Sequence, residues 1–502
     1  MKLSLQSIAN EKSLWESAAV KLPRFDIAAM RAQTEATPEW VHFGAGNIFR
    51  GFIGSLNQRL LNEGLAKTGI IACDTFDREV IEKIYDAYDS LTLNVLLNPD
   101  GTTTREVLAG VAKGIMIDDA AMPELEKIFR APSLKMLSFT VTEKGYRVVP
   151  GSAMYVVAKL LKARFDAGAL PMAVVSMDNC SHNGEKLMAA VLQCAEELFP
   201  GDAAFMEYLK DETKISFPWS MIDKITPRPH AKVLESLKAD GFEAMDPVVT
   251  EKKTFIAPFV NAEKPQYLVV EDKFPNGRPP IEKAGVYFCD RATVNKSETM
   301  KVTTCLNPLH TAMSMYGCLL GYTLICEEMK DPDIVKLVKR LGYVEGLPVV
   351  VNPGILDPKR FIDEVVNERL PNPFMPDDPR RIATDTSQKV GIRFGETIKS
   401  YIREGRDLGT LVAIPLAIAG WLRYLNGTFD DGTPLEVSAD PLKEELMTKV
   451  REGKIREILA NANIFGLDLT ATPLAEKIEG YYAFLTSGPG TARALLQREL
   501  AD

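Results

Sequence analysis

Hydrophobic and polar positions change their spacing once along this chain. Up to about residue 290, short apolar runs end in glycine, aspartate or asparagine, with amphipathic stretches between them. From about Thr293 to the end, apolar residues recur three and four apart. The first pattern is that of buried strands alternating with helices, the second that of packed helices. The expected organisation is an α/β domain over residues 1–290 and a mostly α-helical domain over 291–502.

Taken in order, residues 1–38 read as a polar lead-in with one or two short helices, and 38–43 as a strand. A glycine turn, Gly44-Ala-Gly46-Asn47-Ile48-Phe-Arg50-Gly51, leads into a helix over 52–65. Strands follow over 69–73, 91–97, 103–111, 134–142 and 173–177, with helices over 78–88 and 185–198. Residues 217–227 read as an irregular connector and 266–272 as a strand. In the second half, 312–326 is apolar enough for a buried helix, and 334–341, 390–404 and 411–425 carry helical spacing.

Strand, glycine turn, helix is the setting in which a dinucleotide binds: glycine lets the backbone approach a pyrophosphate, and the helix N-terminus favours its charge. Gly44, Gly46, Asn47, Ile48 and Arg50 are therefore candidate cofactor residues. An acid ending the next strand is placed to accept ribose hydroxyls, and both Asp74 and Asp77 qualify. Polar groups recur after later strands as Glu143 and as Asp178-Asn179 with Asn183, marking one edge of a parallel sheet as the ligand edge.

The densest chemistry lies at the head of the buried helix. Glu298, Lys301, Asn307 and His310 fall within thirteen residues, with Asn307 expected as N-cap and Pro308 in the first turn. A lysine leading into an apolar helix is costly unless it has a function there. Downstream, Arg381 and Lys389 are cations suited to an anion or several hydroxyls.

Composition narrows the possibilities. A net charge of −9 without a long basic run argues against nucleic acid or an anionic membrane as partner. Neither a signal peptide nor a membrane span is legible, which points to the cytoplasm. Seven cysteines without a Cys-x-x-Cys, and four histidines without ligand spacing, suggest neither a disulfide framework nor a metal site.

Taken together, His42 to Arg50, Thr140 to Tyr146, Asp178-Asn179 with Asn183-Gly184, Asp223 to Pro227, Glu271 to Phe274 with Gly277 to Pro279, Glu298 to His310 and Arg381-Ile-Ala with Ser387-Gln-Lys389 resemble the polyol-specific long-chain dehydrogenases, the mannitol dehydrogenase family. The resemblance implies a Rossmann-type N-terminal domain and a helical C-terminal one. It implies metal-free, NAD-dependent oxidation of a secondary alcohol. It makes Lys301 the general acid/base, Asn179 and Asn307 the oxyanion donors, His310 a substrate holder and Glu298 a gate for the lysine's proton. Arg381 and Lys389, with Asn183, become substrate-binding residues. Asp77-Arg78 resembles the family's Asp-Arg, so which acid holds the ribose stays open. One departure is visible: five residues separate Lys301 from Asn307 where the family has four, and Pro308 replaces the usual glycine.

The expected substrate is a keto sugar acid and its aldonate, fructuronate and mannonate. Mannitol with fructose, or tagaturonate, are the alternatives within the family, and a sugar-acid-binding protein without turnover is the alternative outside it. A lysine can serve as base once burial lowers its pKa from about 10.4 toward the working pH. The oligomeric state stays open.

Overall fold

The computed structural model describes residues 1–501 and divides into two compact units, residues 1–98 with 102–295, and 99–101 with 296–502. At the centre of the first unit is a six-stranded parallel sheet built from β1 (Trp40–Phe43), β2 (Ile70–Asp74), β3 (Val111–Met116), β4 (Met136–Phe139), β5 (Met172–Ser176) and β6 (Ile215–Ser216). The strands lie in the order β3-β2-β1-β4-β5-β6. That is the order of a doubly wound Rossmann sheet, whose chain reverses between β1 and β4 and so leaves a crevice at their C-terminal ends.

The strands are nearly continuous apolar runs because both faces are covered. Alternate residues serve opposite cores. Val41, Phe43, Ile71, Leu137, Phe139 and Val174 pack under α2 (Met122–Phe129), α3 (Ala153–Asp166) and α4 (Asn183–Leu198). Trp40, Ile70, Ala72, Met136, Ala173 and Val175 face the other way, against Phe49, Phe52, Leu56 and Leu60 of the first crossover, whose regular part is α1 (Gly54–Asn62). His42 belongs to this second face. It stacks on Phe49 at 4.2 Å and lies within hydrogen-bond reach of Ser138 Oγ (2.6 Å) and Thr140 Oγ1 (2.8 Å), and burial drives its pKa down to about 3. It is a neutral core residue.

Three elements of this unit differ from the sequence reading. The single strand expected over 103–111 is two. Thr103–Leu108 pairs antiparallel with Thr92–Leu97, whereas Val111–Met116 joins the main sheet as β3. The chain changes sheets at Gly110, where an added Cβ would meet the Gln58 backbone nitrogen at 3.0 Å. Two buried carboxamides hold the crossing: Asn57 Nδ2 donates to the carbonyls of Thr68 and Gly110, while Gln58 accepts from Ala109 N–H and donates to Val107 O. Ser220–Asp223, read as part of a connector, is a strand antiparallel to Tyr267–Glu271. The polar lead-in holds three helices and a two-residue strand, Val20–Lys21, parallel to Thr103–Leu108.

The second unit has no strand among its described residues. Entered through α5 (Arg291–Met300), it is built around α6 (Asn307–Leu319), buried over nearly its whole length, and α7 (Ala413–Tyr424). Tyr316 OH donates to Leu416 O at 3.0 Å, and Gly420 lets the two helices approach, since a Cβ there would lie 2.9 Å from the Tyr316 ring. The N-terminus of α7 is held by Glu345, 1% exposed, whose carboxylate accepts the N–H groups of Val412, Ala413 and Ile414. The long helix expected over 312–326 stops at Leu319, because Gly321 turns the chain at φ +82°, and Ile325–Glu328 follows as a separate short helix. No helix among the described residues is long and apolar enough to cross a membrane.

The turn after β1 makes a stability prediction. Gly44 has φ +108°, and a Cβ on it would stand 2.3 Å from Thr140 O, whereas a Cβ on Gly46 would meet nothing within 4 Å. Gly44→Ala should therefore cost about 2 kcal/mol or more, and Gly46→Ala less than about 1 kcal/mol, measured by denaturant unfolding. Equal costs would contradict this account of the turn.

Candidate functional site

In the first unit the candidate residues collect at the C-terminal ends of β1, β2, β4 and β5. The helical turns after β1 start at residue 47 and widen at once into a π turn, Phe49–Ile53, a feature often found where function constrains a helix. Two features of this loop fit a dinucleotide. The surroundings of Gly46 are open enough for a side chain that the sequence does not supply, and Asn47 Oδ1 is buried without a hydrogen-bond partner. Ile48, beside them, is half-buried against the core.

The two candidate acids after β2 separate clearly. Asp77 is 3% exposed, caps the next helix by accepting Glu79 N–H at 3.2 Å, and accepts the Thr250 hydroxyl at 2.6 Å. Asp74 is half-buried and organises the ligand edge: Oδ1 accepts the N–H groups of Phe76 and Asp77, and Oδ2 accepts Ala45 N–H of the glycine turn at 3.2 Å. Arg50, by contrast, is turned inward. Its guanidinium donates to Thr92 Oγ1, Ala257 O and Pro258 O at 2.9–3.1 Å, and burial lowers its pKa to about 10. Its place is in the fold, joining the first crossover to the strands beside it.

After β4 the chain makes a strained turn at Thr142, φ 64°, an uncommon conformation for a β-branched residue. Asp178, at the end of β5, holds this turn by accepting Val141 and Thr142 N–H at 3.3 and 2.9 Å, and it accepts Tyr146 OH at 2.6 Å. Burial raises the Asp178 pKa, partly offset by these bonds. Glu143, on the same turn, pairs with Lys186 at 2.6 Å. Asn179 follows, exposed. Asn183 is fully buried. Its Nδ2 donates to Asp178 O, Ser220 O and Ser220 Oγ, and its Oδ1 accepts Ser220 N–H, so its whole carboxamide anchors the loop and none of it is left for a substrate.

In the second unit, Lys301 opens a π turn, Lys301–Cys305, between α5 and α6, and is 4% exposed. The carbonyl of Lys301 accepts Leu306 N–H at 3.1 Å, a bond spanning five residues, which gives the chain a way to house an extra residue between the lysine and Asn307. Glu298 is half-buried, one turn earlier on α5. Asn307 is the first residue of α6 and not its cap. Leu306 precedes the helix, and the Asn307 side chain has no hydrogen-bond partner among the described residues. Its carboxamide is thereby left available.

His310 lies one turn along α6, its Nε2 buried without a hydrogen bond and 3.9 Å from Asp377 Oδ2. Burial lowers its pKa to about 4. Asp377 opposes this, while Arg393, Arg381 and Arg369 reinforce it, so the imidazole is neutral at neutral pH. Arg381 is largely exposed and pairs with Asp377. Lys389 donates to Thr384 O, and its pKa is lowered by burial and by Arg393 and Arg381. Arg393 escaped the sequence reading. The available signal was its position four residues after Lys389, one helical turn along the same face.

Two sequence models match. The Rossmann domain of mannitol dehydrogenases covers residues 38–283, and the mannitol dehydrogenase C-terminal domain covers 293–485. A D-mannonate oxidoreductase of Thermotoga maritima is 46% identical, over 99% of this chain and 98% of its own. Among solved structures, a substrate-free D-sorbitol dehydrogenase superposes with a TM-score of 0.80 at 25% identity, covering 95% of this chain and 98% of its own. The Pseudomonas fluorescens mannitol 2-dehydrogenase in ternary complex with NAD and D-mannitol superposes with a TM-score of 0.70 at 25% identity, covering 99% of both chains. The two sequence models and the full-length similarity agree, and the chain belongs to the mannitol dehydrogenase family.

Proposed function

We propose that the chain interconverts a keto sugar acid and its aldonate, fructuronate and mannonate, by hydride transfer to and from NAD(H). The observation that carries the chemistry is Lys301, an amine buried at a π turn and followed within one turn of α6 by the available carboxamide of Asn307 and the neutral imidazole of His310. The similarity to a D-mannonate oxidoreductase over the whole chain supports the choice of substrate.

The residues of the glycine turn, Gly44, Gly46, Asn47 and Ile48, hold the dinucleotide at the start of the first crossover helix, and Asp74 accepts the adenosine ribose hydroxyls. Its negative charge there disfavours a 2′-phosphate, which makes NAD(H) the preferred cofactor. Bound in this way, the nicotinamide supplies the hydride acceptor. In the oxidation direction neutral Lys301 takes the proton of the substrate hydroxyl and becomes an ammonium, while carboxamide N–H groups of Asn307 stabilise the negative charge developing on that oxygen. The electron pair of the breaking C–H bond leaves as hydride. His310, being uncharged, fixes a hydroxyl by hydrogen bonding without competing for the lysine's proton. Glu298, one turn before Lys301, serves the lysine's proton exchange with solvent. In reduction the Lys301 ammonium returns the proton to the carbonyl oxygen.

A second reading, interconversion of mannitol and fructose, rests on the superposition with mannitol 2-dehydrogenase. Steady-state rates on matched substrates decide between the two. With NAD, D-mannonate should show a higher kcat/KM than D-mannitol, and a preference for mannitol would transfer the assignment.

The lysine makes the second prediction. Lys301→Ala should fold and bind NADH but lose about 10²–10⁴-fold in turnover, the range expected when a general acid/base is removed. A rate near that of the unaltered enzyme would end the proposed mechanism.

A further inference from the structure

Several arginines among the described residues are engaged by their own chain. Arg50 and Arg164 donate to enclosing carbonyls, Arg423 to the carbonyls of Leu485, Thr428 and Phe429, and Arg493 to Asp331 and Asp333. Arg393 differs from these. It sits in the π turn Gly391–Gly395, which packs on α6, and is half-buried. Its hydrogen bond is to Thr311 Oγ1, from one nitrogen, and no carboxylate pairs with it among the described residues. Burial alone acts on its pKa, lowering it to about 10. A half-buried guanidinium without a carboxylate partner keeps N–H donors for an anion that reaches it.

The surroundings say which anion. Thr311 follows His310, whose imidazole feels Arg393, Arg381 and Arg369 together, with Asp377 as the opposing acid, and Arg381 already holds that acid. Lys389, one turn before Arg393, is a further cation. The environment of the substrate-holding histidine therefore carries an excess of positive charge, and it contains a planar fork matched to a carboxylate. We propose that Arg393 binds the substrate's carboxylate, two N–H groups to two oxygens, and thereby sets the preference of this enzyme for sugar acids over neutral polyols. The assignment rests on the reading of Lys301, Asn307 and His310 as the substrate-binding end of the second unit. It leaves Arg381 and Lys389 for hydroxyl groups.

The test compares the unaltered enzyme with Arg393→Met and Arg393→Lys, using D-mannonate and D-mannitol. For each, kcat/KM with NAD, NADH affinity and the melting-temperature shift caused by each sugar in the presence of NADH are measured; the shift needs no turnover. Arg393→Met should lower kcat/KM for mannonate at least about 30-fold, mainly through KM, and abolish the mannonate-induced shift. It should leave mannitol within about threefold and NADH affinity unchanged. Because the cation has no carboxylate partner, its removal should not lower the melting temperature of the unliganded protein. Arg393→Lys, which keeps the charge but not the fork, should lose at least about fivefold for mannonate alone. Should Arg393→Met fail to fold, Arg393→Lys decides by the same ratio. An enzyme that prefers mannonate and keeps that preference in the variants overturns the role of Arg393 and leaves the substrate reading standing. Equal losses for both sugars make Arg393 structural and also overturn it. An unaltered enzyme that prefers mannitol overturns the substrate reading itself.

Discussion

An amine carried into an apolar interior is the constraint around which the second unit is arranged. Lys301 is almost without solvent contact, and the helix that follows it is buried over nearly its whole length. Burial as a rule disfavours an ammonium, and the general acid/base role proposed for Lys301 draws on that rule. The backbone adapts to this placement. A regular α-turn gives way to a π turn at the lysine, and α6 resumes at Asn307, which presents its carboxamide where a cap would otherwise use it. The rigidity of α6 against α7, through the Tyr316–Leu416 hydrogen bond and the close approach at Gly420, then fixes where Asn307 and His310 stand.

The same structure shows how to tell charges that build the fold from charges kept for a ligand. Arg50, Asp77 and Asn183 are buried and satisfied by their own chain, as is Glu345 at the head of α7. Asp74 ties two loops of the ligand edge together while staying half-buried. Asn47 Oδ1 and His310 Nε2 are buried without hydrogen-bond partners among the described residues, and half-buried Arg393 has no carboxylate partner there. Buried polar groups are normally paired, and the orphans on Asn47 and His310 support the cofactor and substrate roles proposed for those residues.

Much of this was legible from the sequence, for identifiable reasons. The parallel sheet shows in its apolar runs because both faces are covered, and the glycine turn shows because Gly44 has no substitute at φ +108°. The lysine-led cluster shows because a charge before an apolar helix is rare. What sequence spacing could not reveal was direction. Arg50 and Asn183 occupy motif positions but point into the fold, and Asp74 and Asp77, three residues apart, divide between the ligand edge and a helix cap. The split of 103–111 into strands of two sheets depends on the carboxamides of Asn57 and Gln58, which are distant in sequence. Arg393 went unnoticed because its significance lies in the partners it lacks, which only packing shows.

The central claim, that a buried lysine moves the proton, is tested most directly by the pH dependence of kcat/KM in both directions. The account predicts that alcohol oxidation rises with pH and ketone reduction falls with it. Both should follow one apparent pKa below the ordinary lysine value of about 10.4, and this dependence should vanish from the residual activity of Lys301→Ala. The same pH profile persisting in Lys301→Ala would show that another group carries the proton and would contradict the account.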